Sequence, residues 1–197
     1  MSIRRRRFIQ CAAVAGTLAT TPAIHARKNK AKRYRTALIG SGWWGMNILK
    51  EALAADNVKV VALCDVDSDK LELAAEEVED LTGDAPNTYG DFRELLENED
   101  VEIAIVATPD HWHALNTIAA IEAGAHIFVE KPTGHTIVES RAMLEAARAN
   151  DRVVQVGLHR RMGPHYVSGM KFLKDGGAGD VGMVKAFVHN RGGAEVP

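Results

Sequence analysis

Three glycines, two acids and a lysine carry spacing that chemistry can use. Gly40, Gly42 and Gly45 follow the apolar run Tyr34-Arg35-Thr36-Ala37-Leu38-Ile39 in the order G-x-G-x-x-G, the arrangement of a strand, turn and helix that receives a dinucleotide. Gly40 permits the tight turn, Gly42 lets the backbone approach a pyrophosphate, and Gly45 lets the helix lie close to the sheet. The first-turn N–H groups of that helix can then hold the anion. Alone, such a turn can equally serve only to join a strand to a helix. Asp65 favours the first reading. It closes a second apolar segment, Lys59 to Cys64, and stands 20 residues beyond Gly45. A carboxylate there accepts hydrogen bonds from both adenosine ribose hydroxyls and repels a 2′-phosphate. No arginine follows among Val66, Asp67, Ser68 and Asp69, so the pattern predicts NAD rather than NADP.

Three later strand ends add polar groups. Thr108-Pro109-Asp110-His111-Trp112-His113 follows the apolar run from Val101 to Ala107, and Pro109 can set a rigid turn there. His111 and His113 each have two readings: ordering the loop or capping the next helix, and contacting cofactor or substrate. They lie two apart, on different faces of a helix, with no matching Cys, His or Glu cluster, and no metal site is expected. Glu130-Lys131-Pro132 follows another short apolar run. Its ammonium can steady an alcohol oxygen as alkoxide character develops, or simply pair with Glu130. Gly157-Leu158-His159-Arg160-Arg161 ends the last such run. Arg160 and Arg161 are candidates either to bind substrate hydroxyls or to join two domains.

These ends need a sheet to bring them together. The spacing predicts strands at 34–39, 59–64, 101–107, 125–129 and 153–156, a short strand or extended turn at 87–89, and helices at 43–55, 69–81, 111–123 and 137–150. The helix from Ile137 reads as the longest. Ser68 or Asp67 can cap the second helix, Asp91 opens a brief helix burying Phe92, Leu95 and Leu96, and Gly124 suits a left-handed cap. Such alternation predicts an α/β fold, a Rossmann-type parallel sheet wound in two βαβ halves, with ligands at the strand C-terminal ends. A helix at 164–174 and an apolar strand from Val181 to Val188 complete the reading.

The chain of 197 residues is 46% hydrophobic with a formal net charge of −2, a globular composition without the basic surface that nucleic acid requires. Residues 1–26 read as a signal peptide: Arg4 to Arg7 precede a short apolar stretch, and Ala26 offers a cleavage position. Four of the 24 Lys and Arg and none of the 26 Asp and Glu lie in it, so the remainder would carry −6. Arg5-Arg6-Arg7-Phe8-Ile9-Gln10, a pair of arginines, one further residue, Phe and an apolar residue, resembles a twin-arginine export signal, which carries folded proteins. The apolar stretch is too short and interrupted for a stable transmembrane anchor. The expectation is a periplasmic or extracellular protein that uses the twin-arginine machinery, with a cytoplasmic protein as the alternative. Cys11 goes with the leader, which leaves Cys64 without a partner for a disulfide in this chain.

Taken together, Gly40-Ser41-Gly42-Trp43-Trp44-Gly45, Asp65, Thr108-Pro109 with His113, Glu130-Lys131-Pro132, and Gly157 to Arg161 with Pro164 resemble the glucose–fructose oxidoreductase, inositol dehydrogenase and rhizopine-catabolism family (Gfo/Idh/MocA). The resemblance implies an NAD-binding domain over residues 34–158, after a lead-in at 27–33. It implies cofactor contacts from Gly40, Gly42, Trp43, Trp44, Gly45, Asp65, Thr108, Pro109, His113 and Glu130, and Lys131 as the catalytic lysine. It implies oxidation of a CH–OH group of a sugar, cyclic polyol or derivative, with NAD tightly bound if the protein folds before export. Some relatives use that oxidation transiently and achieve glycoside hydrolysis; a nucleotide-binding protein without catalysis is a third reading. The family's second, mostly antiparallel domain supplies substrate-binding and proton-transfer residues, and a homo-oligomer would form through it. Residues 159–197 read as a connecting helix and the start of that domain, so the chain is expected to be a truncated piece, inactive alone.

Overall fold

The computed structural model describes residues 32–187; residues 1–31, on which the signal-peptide and twin-arginine readings rest, and residues 188–197 lie outside the described residues. Six strands form one parallel sheet: β1 (Tyr34–Ile39), β2 (Val58–Cys64), β3 (Asn87–Tyr89), β4 (Ile103–Val106), β5 (His126–Glu130) and β6 (Val154–Gly157). Their order is β3-β2-β1-β4-β5-β6, every neighbour parallel. The connecting helices are α1 (Trp43–Ala54), α2 (Ser68–Thr82), α3 (Phe92–Asn98), α4 (Asp110–Glu122) and α5 (Ile137–Ala149), followed by α6 (His159–Met162) and α7 (Pro164–Lys174).

The alternation of side chains along each strand distributes the helices. Leu38 and Ile105 pack with Met46 and Leu49 of α1 and with Ala74 and Val78 of α2. Their neighbours Ala37, Ile39, Ala104 and Val106 belong to the opposite core, with Phe92 and Leu95 of α3, Ala120 and Ile121 of α4, and Met143 of α5. Apolar residues on both faces of β1 and β4 are what a sheet covered on both sides demands. The chain reverses its direction of travel across the sheet between β1 and β4, and this is where an open α/β sheet leaves a crevice at its carboxyl ends.

Helix starts follow local chemistry. Asp67, rather than Ser68, caps α2 by accepting from the Lys70 N–H, and Asp91 caps α3 by accepting from the Arg93 N–H. Thr136 and Glu139 form a reciprocal capping box at α5. Two expectations are corrected. The longest helix is α2, with 15 residues against 13 in α5, because it runs from the Asp67 cap at its start to Gly83, whose left-handed φ of 75° ends it. Residues 181–187 form no strand: Val181, Met183, Val184 and Phe187 are exposed, and an apolar run without a neighbouring strand has no ladder to join.

Candidate active site

Four strand ends meet around a cavity of about 610 Å³. It is lined by Gly42 to Gly45, Ala107 to Asp110, His113, Glu130 to Pro132, and His159. The glycine turn contributes its floor. Gly40 has φ +94°, and a Cβ there would lie 2.7 Å from the Ala107 carbonyl carbon and the Thr108 nitrogen. A Cβ on Gly45 would overlap the Gly40 carbonyl oxygen, whereas one on Gly42 would meet nothing within 4 Å. Gly40 and Gly45 thus permit close packing, and Gly42 keeps the backbone open.

Of the helices packed on the sheet, α1 and α4 are the ones whose N-termini have no side-chain cap, in contrast to α2, α3 and α5. Both begin at this cavity. The amides that a side chain would otherwise satisfy are left for a ligand. No acidic residue occupies the first turn of α1. The cradle therefore fits a pyrophosphate, and with it a dinucleotide.

Asp65 acts on this turn from the end of β2. Its Oδ2 accepts from the Ser41 backbone N–H at 2.8 Å and from the Ser41 hydroxyl at 3.3 Å, and its Oδ1 accepts from the Asp67 N–H at 3.0 Å. A carboxylate offers about four acceptor positions, and the protein's own donors take three. Ser41, unremarked in the sequence, is the residue that orients it; only its place between two glycines could have drawn notice.

His113 is 2% exposed. Its Nδ1 lies 2.6 Å from the Pro132 carbonyl oxygen and its Nε2 2.7 Å from that of Thr108, so neither nitrogen is free for a ligand. Asn116, one helical turn on, donates to the Thr108 hydroxyl at 3.1 Å, leaving that hydroxyl able to donate into the site. His111 remains outside the cavity lining.

Glu130 is 4% exposed, and its Oε2 accepts from the Lys131 backbone N–H at 3.1 Å. Its carboxylate is packed against Gly157, where a Cβ would overlap Oε1. Lys131 follows through a cis bond to Pro132. The Lys131 ammonium makes no ion pair with Glu130 or any other described residue, and the side chain is exposed at the cavity. Trp44 stacks obliquely between Trp43, at 5.4 Å, and His159, at 5.0 Å, giving an aromatic rim. Arg160 and Arg161 are not gathered here. Arg161 lines a separate groove on α7 with Tyr166, Val167 and Met170.

Cys64 is buried at the end of β2, with Asp65 next in the chain. Burial first, and then the Asp65 charge, push its thiol up to about 12. It is a packed core group rather than a nucleophile.

The chain is similar to known proteins. The chain is 35% identical over 142 residues to a glycosyl hydrolase family 109 protein of Stenotrophomonas maltophilia, covering 69% of this chain and 31% of that protein. It is 29% identical over 158 residues to an inositol 2-dehydrogenase of Salmonella paratyphi B, covering 79% and 46%. The solved structure of a myo-inositol 2-dehydrogenase from Lactobacillus plantarum superposes with a TM-score of 0.69 at 28% identity, over 76% of this chain and 43% of that one. The chain thus spans less than half the length of these relatives. The model of the Gfo/Idh/MocA oxidoreductase family, with its NAD-binding Rossmann fold, matches residues 34–158. With the uncapped glycine cradle described above, this match makes the chain a member of that family, an NAD-binding oxidoreductase fold related to sugar and polyol dehydrogenases.

Proposed function

We propose that this chain is the NAD-binding half of an oxidoreductase that acts on a CH–OH group of a sugar, cyclic polyol or derivative, with the substrate side completed by a second domain. The observation that carries this reading is the Lys131 ammonium, without an ion pair among the described residues, at the same cavity as the uncapped starts of α1 and α4. Gly42 and the first-turn amides of α1 hold the pyrophosphate, Asp65 faces the adenosine ribose with its one remaining acceptor position, and the Thr108 hydroxyl and Pro109 border the nicotinamide side. Bound there, NAD supplies a hydride acceptor. Lys131 donates from Nζ to the substrate oxygen and favours the alkoxide form as the hydroxyl proton passes to a base on the second domain.

The similarity to a glycosyl hydrolase family 109 protein favours a second reading, in which oxidation at one carbon is reversed after glycoside cleavage. Net NADH formation distinguishes the dehydrogenase; free sugar without net NADH distinguishes the hydrolase.

The leader, Arg5-Arg6-Arg7-Phe8-Ile9-Gln10 with the alanine-rich run after it, supports export by the twin-arginine route with NAD already bound. Protein recovered from the periplasm without added nucleotide should release near-stoichiometric NAD(H) on denaturation; empty protein would overturn preloading.

The central test compares residues 27–197 with a version that includes a second domain. The shorter chain should quench or shift NADH fluorescence but not turn over polyols. In the two-domain protein, Lys131→Ala should lower kcat by about 10²–10³, the scale of losing one charge-stabilising donor, and leave NADH affinity within about twofold. Undiminished turnover in that variant would sink the assignment of Lys131.

A further inference from the structure

His113 faces two backbone carbonyls that belong to different strand ends: Thr108, after β4, and Pro132, after β5. Carbonyl oxygens only accept, so each contact calls for an N–H on the ring; a neutral imidazole carries one and an imidazolium two. The ring is buried, and a buried polar group is retained where its bonds are made. The Thr108 carbonyl and hydroxyl are held by the same helix, through His113 and Asn116 respectively. On the other side, the Pro132 carbonyl belongs to the residue immediately after Lys131.

We propose that His113 is a positioning residue that couples the two ligand-facing turns, so that α4 sets where the Lys131 backbone stands relative to the Thr108–Pro109 edge. The consequence for catalysis rests on the proposed role of Lys131, but the coupling itself does not. Misplacing a reacting group by a fraction of an ångström to an ångström is costly, and a side chain that fixes two turns to one rigid helix limits such drift. His113, 2% exposed in the wall of the cavity, makes this bridge with both ring nitrogens and needs no contact with substrate.

The two bonds can be separated in the 197-residue chain. An Asn amide nitrogen reaches about as far as Nδ1 and can still serve Pro132; a Gln amide nitrogen reaches about as far as Nε2 and can still serve Thr108. In His113→Asn, amide exchange at Lys131 and residues 133–136 should stay within about twofold of wild type, while exchange at Thr108 and residues 110–112 rises about tenfold. In His113→Gln the pattern should reverse. NADH should bind several-fold more weakly to both. Equal loosening of both turns in the two variants, as expected of a ring that only fills space, would overturn the proposal, as would unchanged exchange in both. If either variant fails to fold, imidazole ¹⁵N spectra of the wild type decide. Hydrogen-bond couplings from the ring to both the Thr108 and Pro132 carbonyls support the clamp, and their absence at either carbonyl overturns it. A wild type that shows the couplings but binds no NADH would refute the functional reading and leave the clamp standing.

Discussion

The Cys64 thiol shows how one side chain reports on the residues around the site. Its pKa rises from 9.0 to about 12, chiefly through burial and then through Asp65. Between those values the folded chain keeps a proton that the unfolded chain has lost. The stability associated with the protonated thiol is therefore full below about pH 9 and declines as pH rises toward 12. Between pH 8 and 10.5, the urea midpoint of the wild type should fall further than that of Cys64→Ala; parallel curves would show that the thiol is not held protonated by the fold. At pH 8 the same thiol should resist a disulfide reagent until the chain unfolds. At this scale the glycine turn and the meeting of Glu130 and Lys131 at one cavity were legible in the sequence, because the glycine spacing marks a tight strand-to-helix turn and both residues follow an apolar run that ends at the carboxyl edge of the sheet. Of the two readings of His113, the structure bears out the one in which it orders the loop. The work of Ser41 and Asn116 was not legible: each acts through a hydrogen bond to a group whose position depends on the fold, and neither residue type carries a mark of that geometry.

The turn after Lys131 is tied down by the start of α5. Thr136 accepts from the Glu139 N–H at 3.2 Å while Glu139 accepts from the Thr136 N–H at 2.8 Å, and the Thr133 and Ser140 hydroxyls lie 3.0 Å apart. Thr136→Ala should therefore cost about 1 kcal/mol, the usual value of an N-cap, measured as a lowered urea midpoint with unchanged slope. A loss below about 0.3 kcal/mol would mean that the box is frayed in solution. Caps also explain why most elements were legible to within a residue or two. Asp67, Asp91 and Gly83 are punctuation readable in one dimension. The 181–187 segment was misread because alternating apolar residues describe a strand only when a partner strand is present, and β6 is followed by α6 and α7 rather than by another strand of this sheet.

Across the whole molecule, the order β3-β2-β1-β4-β5-β6 places the two chemical halves of the site on adjacent strands that come from opposite halves of the winding. The alternation of strands and helices made this topology legible, since parallel neighbours need crossovers and those crossovers share one hand. What it could not reveal is how tightly the halves abut. Gly40 lies against the Ala107–Thr108 peptide with no room for even a methyl group, and the Ala107 N–H donates to the Ile39 carbonyl at 2.9 Å. The two turns form one ledge with no slack between them. Such a ledge has no jaw to shut on an arriving nucleotide, so capture should be timed by encounter alone. In stopped-flow mixing with this chain, the NADH signal should follow a single exponential whose rate climbs linearly with concentration; a plateau at high NADH would expose a slow rearrangement that this ledge does not possess.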